Sequence, residues 1–566
     1  MRLLDWAVLA GTLFFIVAYG LYRGRGSRTV NTYLLAGKTM PWYAMALSIM
    51  ATQASAITFI STTGQAYVDG MRFVQFYLGL PLAMIVISIT AAPIFHRANV
   101  YTAYEYIGQR FDAKTRALVS LIFLLQRGLA VGVALYAPAI VLTVILGWPD
   151  RWTTLAMGSL VVLYTTLGGI KSVTWTDVQH MLIMVLGLLA ALFMAVHMLP
   201  DGVSFRDALT LAGAAGRLNA IVTKFDWNDR YNLWSGIVGG MFLALAYFGC
   251  DQSQVQRYLT GKSIAQSRLS LLFNAVAKVP MQFMILLVGA VVFVFFTFEK
   301  PPLLFHPQNL ERLRTAPGFS AVQGRFDEAF EHRRQAAKEL LQAAQNGDKP
   351  SEAASRRRYR DAQERLESAR RESQRLVARM EGTSQANDSN YIFLSFVTRY
   401  LPQGVVGLIM AAIFAAAMST ISAEINSLAT VSVIDVYKPY IKKNASDRHY
   451  LNASRGATIF WGAYAITTAE YGKTLGSLIE AVNMVGSLFY GGLLGVFVLA
   501  FFFPKVGGTA AFLAVLAGEA AIFAAHFDGR LSFLWYNVLG CSVVVLTGLL
   551  LSTLGKAARG RAKSGS

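Results

Sequence analysis

Apolar windows about 20 residues long, the length a helix needs to cross the hydrocarbon core of a bilayer, recur along the whole chain. Thirteen can be counted, over residues 3–22, 41–60, 74–95, 118–146, 152–170, 178–199, 233–250, 271–298, 403–436, 456–471, 475–503, 508–527 and 531–554. The pattern predicts an all-α polytopic membrane protein with thirteen transmembrane helices, the tenth being the least apolar. One long stretch, residues 299–390, interrupts it with 17 basic and 14 acidic residues. Within that stretch two helical patterns are separated by Asn346-Gly347-Asp348-Lys349-Pro350-Ser351, a stop, turn and restart signal. In the second pattern Tyr359, Ala362, Leu366, Ala369, Ser373, Leu376 and Met380 recur at spacings of three and four, so one coiled-coil-like seam faces a partner helix. A protruding helical hairpin is expected there.

Composition agrees with the windows: of 566 residues, 55% are hydrophobic and 15% charged, too apolar for a set of soluble domains. The net charge of +19 would suit a nucleic-acid binder, so the placement of the basic residues decides. With the N-terminus outside, 22 Lys and Arg fall in inside segments and about 9 in short outside ones. That bias satisfies the positive-inside rule and predicts a plasma (inner) membrane protein with a cytoplasmic C-terminal tail over 555–566 and no nucleic-acid partner. The first window is expected to be retained rather than cleaved, because its basic flank follows the apolar run. The 2 cysteines, Cys250 and Cys541, lie in apolar runs, and the 7 histidines lack metal-ligand spacing. No phosphate loop or nucleophile elbow is present, so the expectation is a protein that is not an enzyme and needs no organic cofactor.

Polar groups inside a bilayer are costly, which makes those that persist functional candidates. Two windows concentrate them. The second contains the run Ser48-Ile49-Met50-Ala51-Thr52-Gln53-Ala54-Ser55-Ala56-Ile57-Thr58, small and hydroxyl-bearing in mid-crossing, where a helix can break and free its carbonyls. The ninth contains Ala415-Ala416-Ala417-Met418-Ser419-Thr420-Ile421-Ser422-Ala423-Glu424-Ile425-Asn426-Ser427. A dehydrated monovalent cation needs about five or six oxygens, by extension from the hard divalent cations, and broken helices supply them. Small and hydroxyl residues serve close helix packing equally well.

Five words of the sequence, Gly37-Lys38-Thr39-Met40-Pro41-Trp42, Tyr101 to Tyr106 with Arg110-Phe111, Gly168 to Asp177, Asp251 to Tyr258, and Asn426 to Thr430 with Asp435, together resemble the sodium:solute symporter family. The resemblance implies two inverted five-helix repeats, over 41–199 and 233–503, the second interrupted by the 299–390 insertion. One extra helix, 1–22, precedes them and two more, 508–554, follow. It implies Na+ as the coupling ion, held by carbonyls at Ala51 and Ala54 of the first core helix and by Ala416, Ser419 and Thr420 of the eighth. Asp177 matches an acidic group that the family uses in sodium release or in a second sodium site; a helix-N-terminal carboxylate is the structural alternative.

For the solute, Tyr247 and Lys278 match a tyrosine and a lysine that line the pocket in the sugar-carrying branch, while Ala244 stands where those carriers have an asparagine. Arg127 matches an arginine with which the sialic-acid branch meets a carboxylate, a role suited to the guanidinium fork. An intramembrane ion pair is the alternative for Arg127, and a counter-charge to Glu480 or Asp251 for Lys278. Gln53, Thr58 and Asn483 complete the solute candidates. Other parts of the words look like the branch carrying iodide, vitamins and monocarboxylates. The expected function is sodium-coupled import of a small hydrophilic organic solute, a sugar, sialic acid or other carboxylate, by alternating access. The rival is a membrane receptor or scaffold that keeps this fold and uses the hairpin to bind an outside protein; the short C-terminal tail argues against a fused sensor.

Overall fold

The structure of the protein, a computed structural model, describes residues 1–146, 150–381, 387–469 and 477–564. Helices account for the architecture: α1 (Leu3–Gly24), α2 (Trp42–Gln53), α3 (Ala56–Asp69), α4 (Ala113–Leu146), α5 (Asp150–His197), α6 (Gly240–Gly249), α7 (Gln252–Leu259), α8 (Ile264–Phe298), α9 (Phe319–Gln345), α10 (Lys349–Glu381), α11 (Val405–Val431), α12 (Asp447–Thr468), α13 (Leu478–Phe502), α14 (Gly508–Asp528) and α15 (Phe533–Ser564). The tenth predicted window ends at Tyr471 and the eleventh begins at Leu475, both outside the described residues, as are residues 565–566 of the predicted tail.

Among the described residues nine stretches are long and apolar enough to cross a membrane. One of them, Arg151–His197, has 47 residues and would run about 70 Å if straight, more than twice the thickness of the hydrocarbon core. It bends at Gly169, whose backbone (φ 59°, ψ −163°) leaves the helical region. A Cβ at Gly169 would run into the ring and carbonyl of Tyr33, and the Tyr33 hydroxyl donates to the Thr166 carbonyl at 3.1 Å, on the near side of the bend. The fifth and sixth predicted windows are the two limbs of this helix.

At the centre lies α11. Every residue from Ile409 to Val431 is buried, which a helix made largely of Ala, Ser, Thr and Ile permits because small side chains let neighbouring backbones approach. Its start is held by Asp5 of α1, whose carboxylate accepts from the backbone N–H of Gly404 (2.7 Å) and Gly407 (3.1 Å), satisfying donors that a helix N-terminus leaves free. Exposed Leu and Phe side chains such as Phe14, Leu121, Leu163, Leu186 and Leu546 lie on the periphery, where a bilayer would meet them.

The predicted hairpin is α9 and α10, packed on each other around Phe326, Phe330, Leu366 and Val377. Rather than standing free, it leans on the rest of the chain. Buried Arg333 donates to the Phe296 carbonyl at the end of α8, Arg217 pairs with Glu367, Arg370 grips both oxygens of Asp388 at 2.9 Å, and Arg360 donates to the Ala214 carbonyl at 3.2 Å. The predicted seam is buried at Tyr359, Ala362, Leu366, Ala369 and Ser373 but moves to Val377 near its end, leaving Met380 exposed. A straight helix drifts by about 20° per heptad against a 3.5-residue repeat, and the three heptads from Tyr359 suffice to carry Met380 off the seam.

Candidate ion and solute sites at the broken helix

The second predicted window is indeed broken. Helix α2 stops at Gln53, Ala54 (φ −86°, ψ 71°) and Ser55 (φ −74°, ψ 170°) leave helical geometry, and α3 restarts at Ala56. The last carbonyls of α2 therefore have no donor within their own helix. The chain meets this by facing the break with α11: Thr420 Oγ1 donates to the Thr52 carbonyl at 3.0 Å. Ala51, Ala54, Ala416, Ser419 and Thr420 are all buried there.

Asp177, on the second limb of α5, lies between the two elements. Its carboxylate accepts from Ser48 of α2 and from Ser419 of α11, each at 2.6 Å. Arg257 Nη2 approaches it to 3.7 Å while Arg257 Nε donates to Thr52 Oγ1 at 3.1 Å, and His180 Nδ1 stands 3.5 Å from it. Asp177 thus reaches across to two other helices and is not a helix-terminal cap. Ser48 and Arg257 were not singled out by sequence; Ser48 does begin the hydroxyl-rich run, and Arg257 belongs to one of the five words.

Arg127, buried on α4, is engaged by protein groups through both terminal nitrogens, while its Nε has no partner among the described residues. Nη1 donates to Glu424 of α11 at 2.7 Å, and Nη2 donates to Asp251 and to the Tyr490 hydroxyl at 2.6 Å. Tyr490 in turn donates to Asp251 at 2.9 Å, and the Tyr247 ring lies 5.5 Å from the guanidinium. The Tyr247 hydroxyl accepts from Gln254 at 2.7 Å. The intramembrane ion-pair alternative is the geometry found for Arg127, and the bidentate face expected for a solute carboxylate is occupied. Glu424 and Tyr490 had no assigned role, although a carboxylate in mid-window is itself a signal.

Lys278 is different. Neither proposed counter-charge reaches it: Glu480 pairs with Arg230 at 2.5 Å and Asp251 with Arg127. Its ammonium is buried without a hydrogen-bond partner among the described residues, 5.6 Å from the centre of the Tyr77 ring. Two contacts fix its level. Asn274 of α8 donates to the Ala46 carbonyl of α2 at 3.1 Å, and a Cβ on Gly289 of α8 would meet the Thr63 carbonyl of α3. Lys278 and Gln282, one and two turns beyond Asn274 on the same face, therefore lie beside the break at Ala54 and Ser55. Both amide ends of Gln282 and the Gln53 oxygen are likewise buried without partners among the described residues. Thr58 is buried in the first turn of α3, while Asn483 donates back to the Ile479 carbonyl of its own helix at 2.8 Å.

The words of the sequence also meet one another. Gln252 accepts from Ala103 N–H (3.0 Å) and donates to the Tyr101 carbonyl (2.9 Å), Gln256 donates to Thr430 at 3.1 Å, and Thr102 donates to Asp435 at 3.0 Å.

Comparison with known proteins bears on the whole assembly. The sequence model of the sodium:solute symporter family matches residues 33–310 and 376–518, and the unmatched stretch between them falls inside the 299–390 insertion. The sodium-coupled monocarboxylate transporter 1 of Homo sapiens is 28% identical over 522 residues, covering 91% of this chain and 72% of that one. The sodium/sialic acid symporter NanT of Aliivibrio fischeri is 26% identical, covering 98% and 94%. The sodium/glucose cotransporter of Vibrio parahaemolyticus is 25% identical, covering 91% and 84%. A solved Na+-coupled sialic acid symporter in a substrate-bound outward-open state superposes with a TM-score of 0.75 over 98% of both chains at 23% identity, which shows a shared fold. With a broken helix facing a hydroxyl-bearing one at its centre and the family model covering most of its length, this chain belongs to the sodium:solute symporter family, polytopic membrane transporters that use Na+ as the coupling ion.

Proposed function

We propose that this symporter imports a small organic anion, a sialic acid or other carboxylate rather than a neutral sugar. The observation that carries the reading is Lys278, a buried ammonium beside the broken helix with no counter-charge among the described residues. Burying an unpaired charge is expensive, and a solute carboxylate is the group that would complete the site, with Gln282 and Gln53 as its neutral hydrogen-bonding partners. Arg127, by contrast, acts through the protein. Sodium sits at Ala51, Ala54, Ala416, Ser419 and Thr420, with Asp177 next to it as a second site or release group. The relatives named for sialic acid and monocarboxylate transport support the anionic class, while Ala244 removes an amide that sugar carriers use.

Transport follows the inverted-repeat plan over 41–199 and 233–503, in a plasma (inner) membrane with thirteen crossings, the N-terminus outside and the C-terminus inside. Sodium joins α2 and α11 and so favours solute binding before the bundle turns inward. At about 100 mV, each positive charge moved inward supplies about 2.3 kcal/mol, and a tenfold sodium gradient adds about 1.4 kcal/mol per ion. The cycle makes and breaks no covalent bond, so the protein works as a carrier rather than an enzyme.

The test is the melting temperature of the purified protein in sodium, potassium and choline buffers with sialic acids, monocarboxylates and sugars, since ligands of the folded state raise it by mass action. A sodium-specific rise enlarged by an anion is the expected result. A rise enlarged only by neutral sugars would overturn the anionic reading, and no sodium-specific rise would overturn the ion site.

A further inference from the structure

Two buried carboxylates share one arginine in the interior of this protein. Asp251, Glu424 and Arg127 sum to a charge of −1, are 0%, 4% and 3% exposed respectively, and come from three different parts of the fold. We propose that Glu424 is a proton-binding site: it is a neutral acid while Arg127 is held by Asp251, and exchanges its proton with solution as α11 moves against α4. Sodium binding on the same helix is thereby linked to pH.

The two carboxylates are not equivalent. Asp251 accepts from Arg127, from Tyr490 at 2.9 Å and, with its other oxygen, from the Ser253 N–H at 2.8 Å, in the N-cap position of α7. Three donors therefore meet Asp251, and neither of its oxygens is left without a partner. Among the described residues Glu424 accepts from Arg127 through Oε1 alone, and its Oε2 is buried without a partner. A lone negative oxygen in that setting carries the full desolvation cost; a proton on it removes the excess charge. A metal ion fits the position poorly, since the guanidinium already stands 2.7 Å from the same carboxylate and repels a second cation.

The groups around Glu424 are Arg127 from α4, Asp251 before α7 and Tyr247 from α6, with Tyr490 of α13 bonded to the same Arg127 and Asp251. On the sodium side, one turn back along α11, stand Asp177, Arg257 and His180. Glu424 follows Thr420 by four residues, about 6 Å along the helix axis, close enough for its charge to strengthen sodium binding in a poorly screened interior. Protonation therefore weakens sodium, and sodium disfavours the proton by the same factor.

Two measurements test this, the first independent of the sodium site. Dicyclohexylcarbodiimide reacts with protonated carboxyls in apolar settings, and mass spectrometry locates the adduct. Labelling is expected at Glu424, declining as pH rises. It should be lost both in Glu424→Gln and in Asp251→Asn, the latter because Arg127 then has one carboxylate to itself. Labelling at Asp251 instead, or none at Glu424 at any pH, would overturn the proposal. Second, the sodium concentration that gives half of the melting-temperature rise is expected to increase about tenfold on acidification in the wild type, with most of that change absent in Glu424→Gln. An unaltered pH dependence in Glu424→Gln would reject the linkage. If sodium stabilises neither protein at any pH, the ion-site reading fails while the labelling still decides Glu424.

Discussion

Arg127 and Lys278 are two buried cations on neighbouring parts of the core, equally costly to place in a membrane, and they end differently. Arg127 directs its guanidinium to Asp251, Glu424 and Tyr490, which fixes the relative positions of four helices; Lys278 has no hydrogen-bond partner among the described residues. A charge-assisted hydrogen bond contributes about 1.5–3 kcal/mol, so Lys278→Met is expected to raise the half-saturation for an anionic solute by about tenfold to a hundredfold. It should leave the sodium-induced melting shift in place. Equal weakening of a neutral analogue would assign Lys278 to packing. At the ion site, Ser419→Ala combined with Thr420→Ala removes two hydroxyls that also bond Asp177 and the Thr52 carbonyl. Sodium at about a hundred times its Kd stabilises a folded state by about 2.7 kcal/mol, and this variant is expected to lose that gain. An unchanged sodium half-saturation would reject the assigned ligands.

Among the elements, the fold was readable from the sequence wherever a long apolar run stood alone, as in α1, α8 and α13, because span length and hydrophobicity are local properties. The break after Gln53 was also legible, since Ser, Thr, Ala and Gln in mid-crossing mark a helix that can be interrupted. The seam of α10 was right in its first turns and drifted at Met380. Pairings were not legible: nothing local says that Glu424 takes Arg127, 297 residues away, or that Asp177 bridges Ser48 and Ser419. Such contacts depend on how helices distant in sequence are stacked. The Gly169 bend is a case where one residue decides an element. An Ala there must hold φ 59°, ψ −163°, a region used almost only by glycine, which costs about 1–3 kcal/mol, and its Cβ meets Tyr33. Gly169→Ala is therefore expected to lower the melting temperature by a few degrees, with about 1 kcal/mol moving it by roughly 2–4 °C in domains of 150–250 residues and less in a larger chain. No change in melting temperature would mean that the two limbs of α5 do not need this bend.

For the whole molecule, the question is whether the hairpin belongs to the transport machine. The family model matches the chain on both sides and omits 311–375, so the transporter core is described without it. Its contacts fall at the ends of core elements: Phe296 and Thr297 at the close of α8, Ala214 and Arg217 in the segment after α5, and Asp388 before the chain re-enters the core. None of these touches Asp177, Ser419, Lys278 or Glu424. The charged outer faces of α9 and α10 are exposed, while the buried seam is already taken by the chain itself. Excising 311–375 with a short Gly/Ser linker is thus expected to keep the sodium-dependent melting shift and solute uptake. The basal melting temperature should fall, because Tyr67, Phe305 and the end of α8 lose the cover of Arg333, Arg370 and Tyr359. Comparing the sodium-induced shift in the two proteins separates the outcomes, since a general loss of stability lowers both melting curves without changing their difference. If the shift itself disappears in a protein that still melts cooperatively, then the hairpin holds α8 in the register that places Lys278 and Gln282 at the break, and it is part of the transporter.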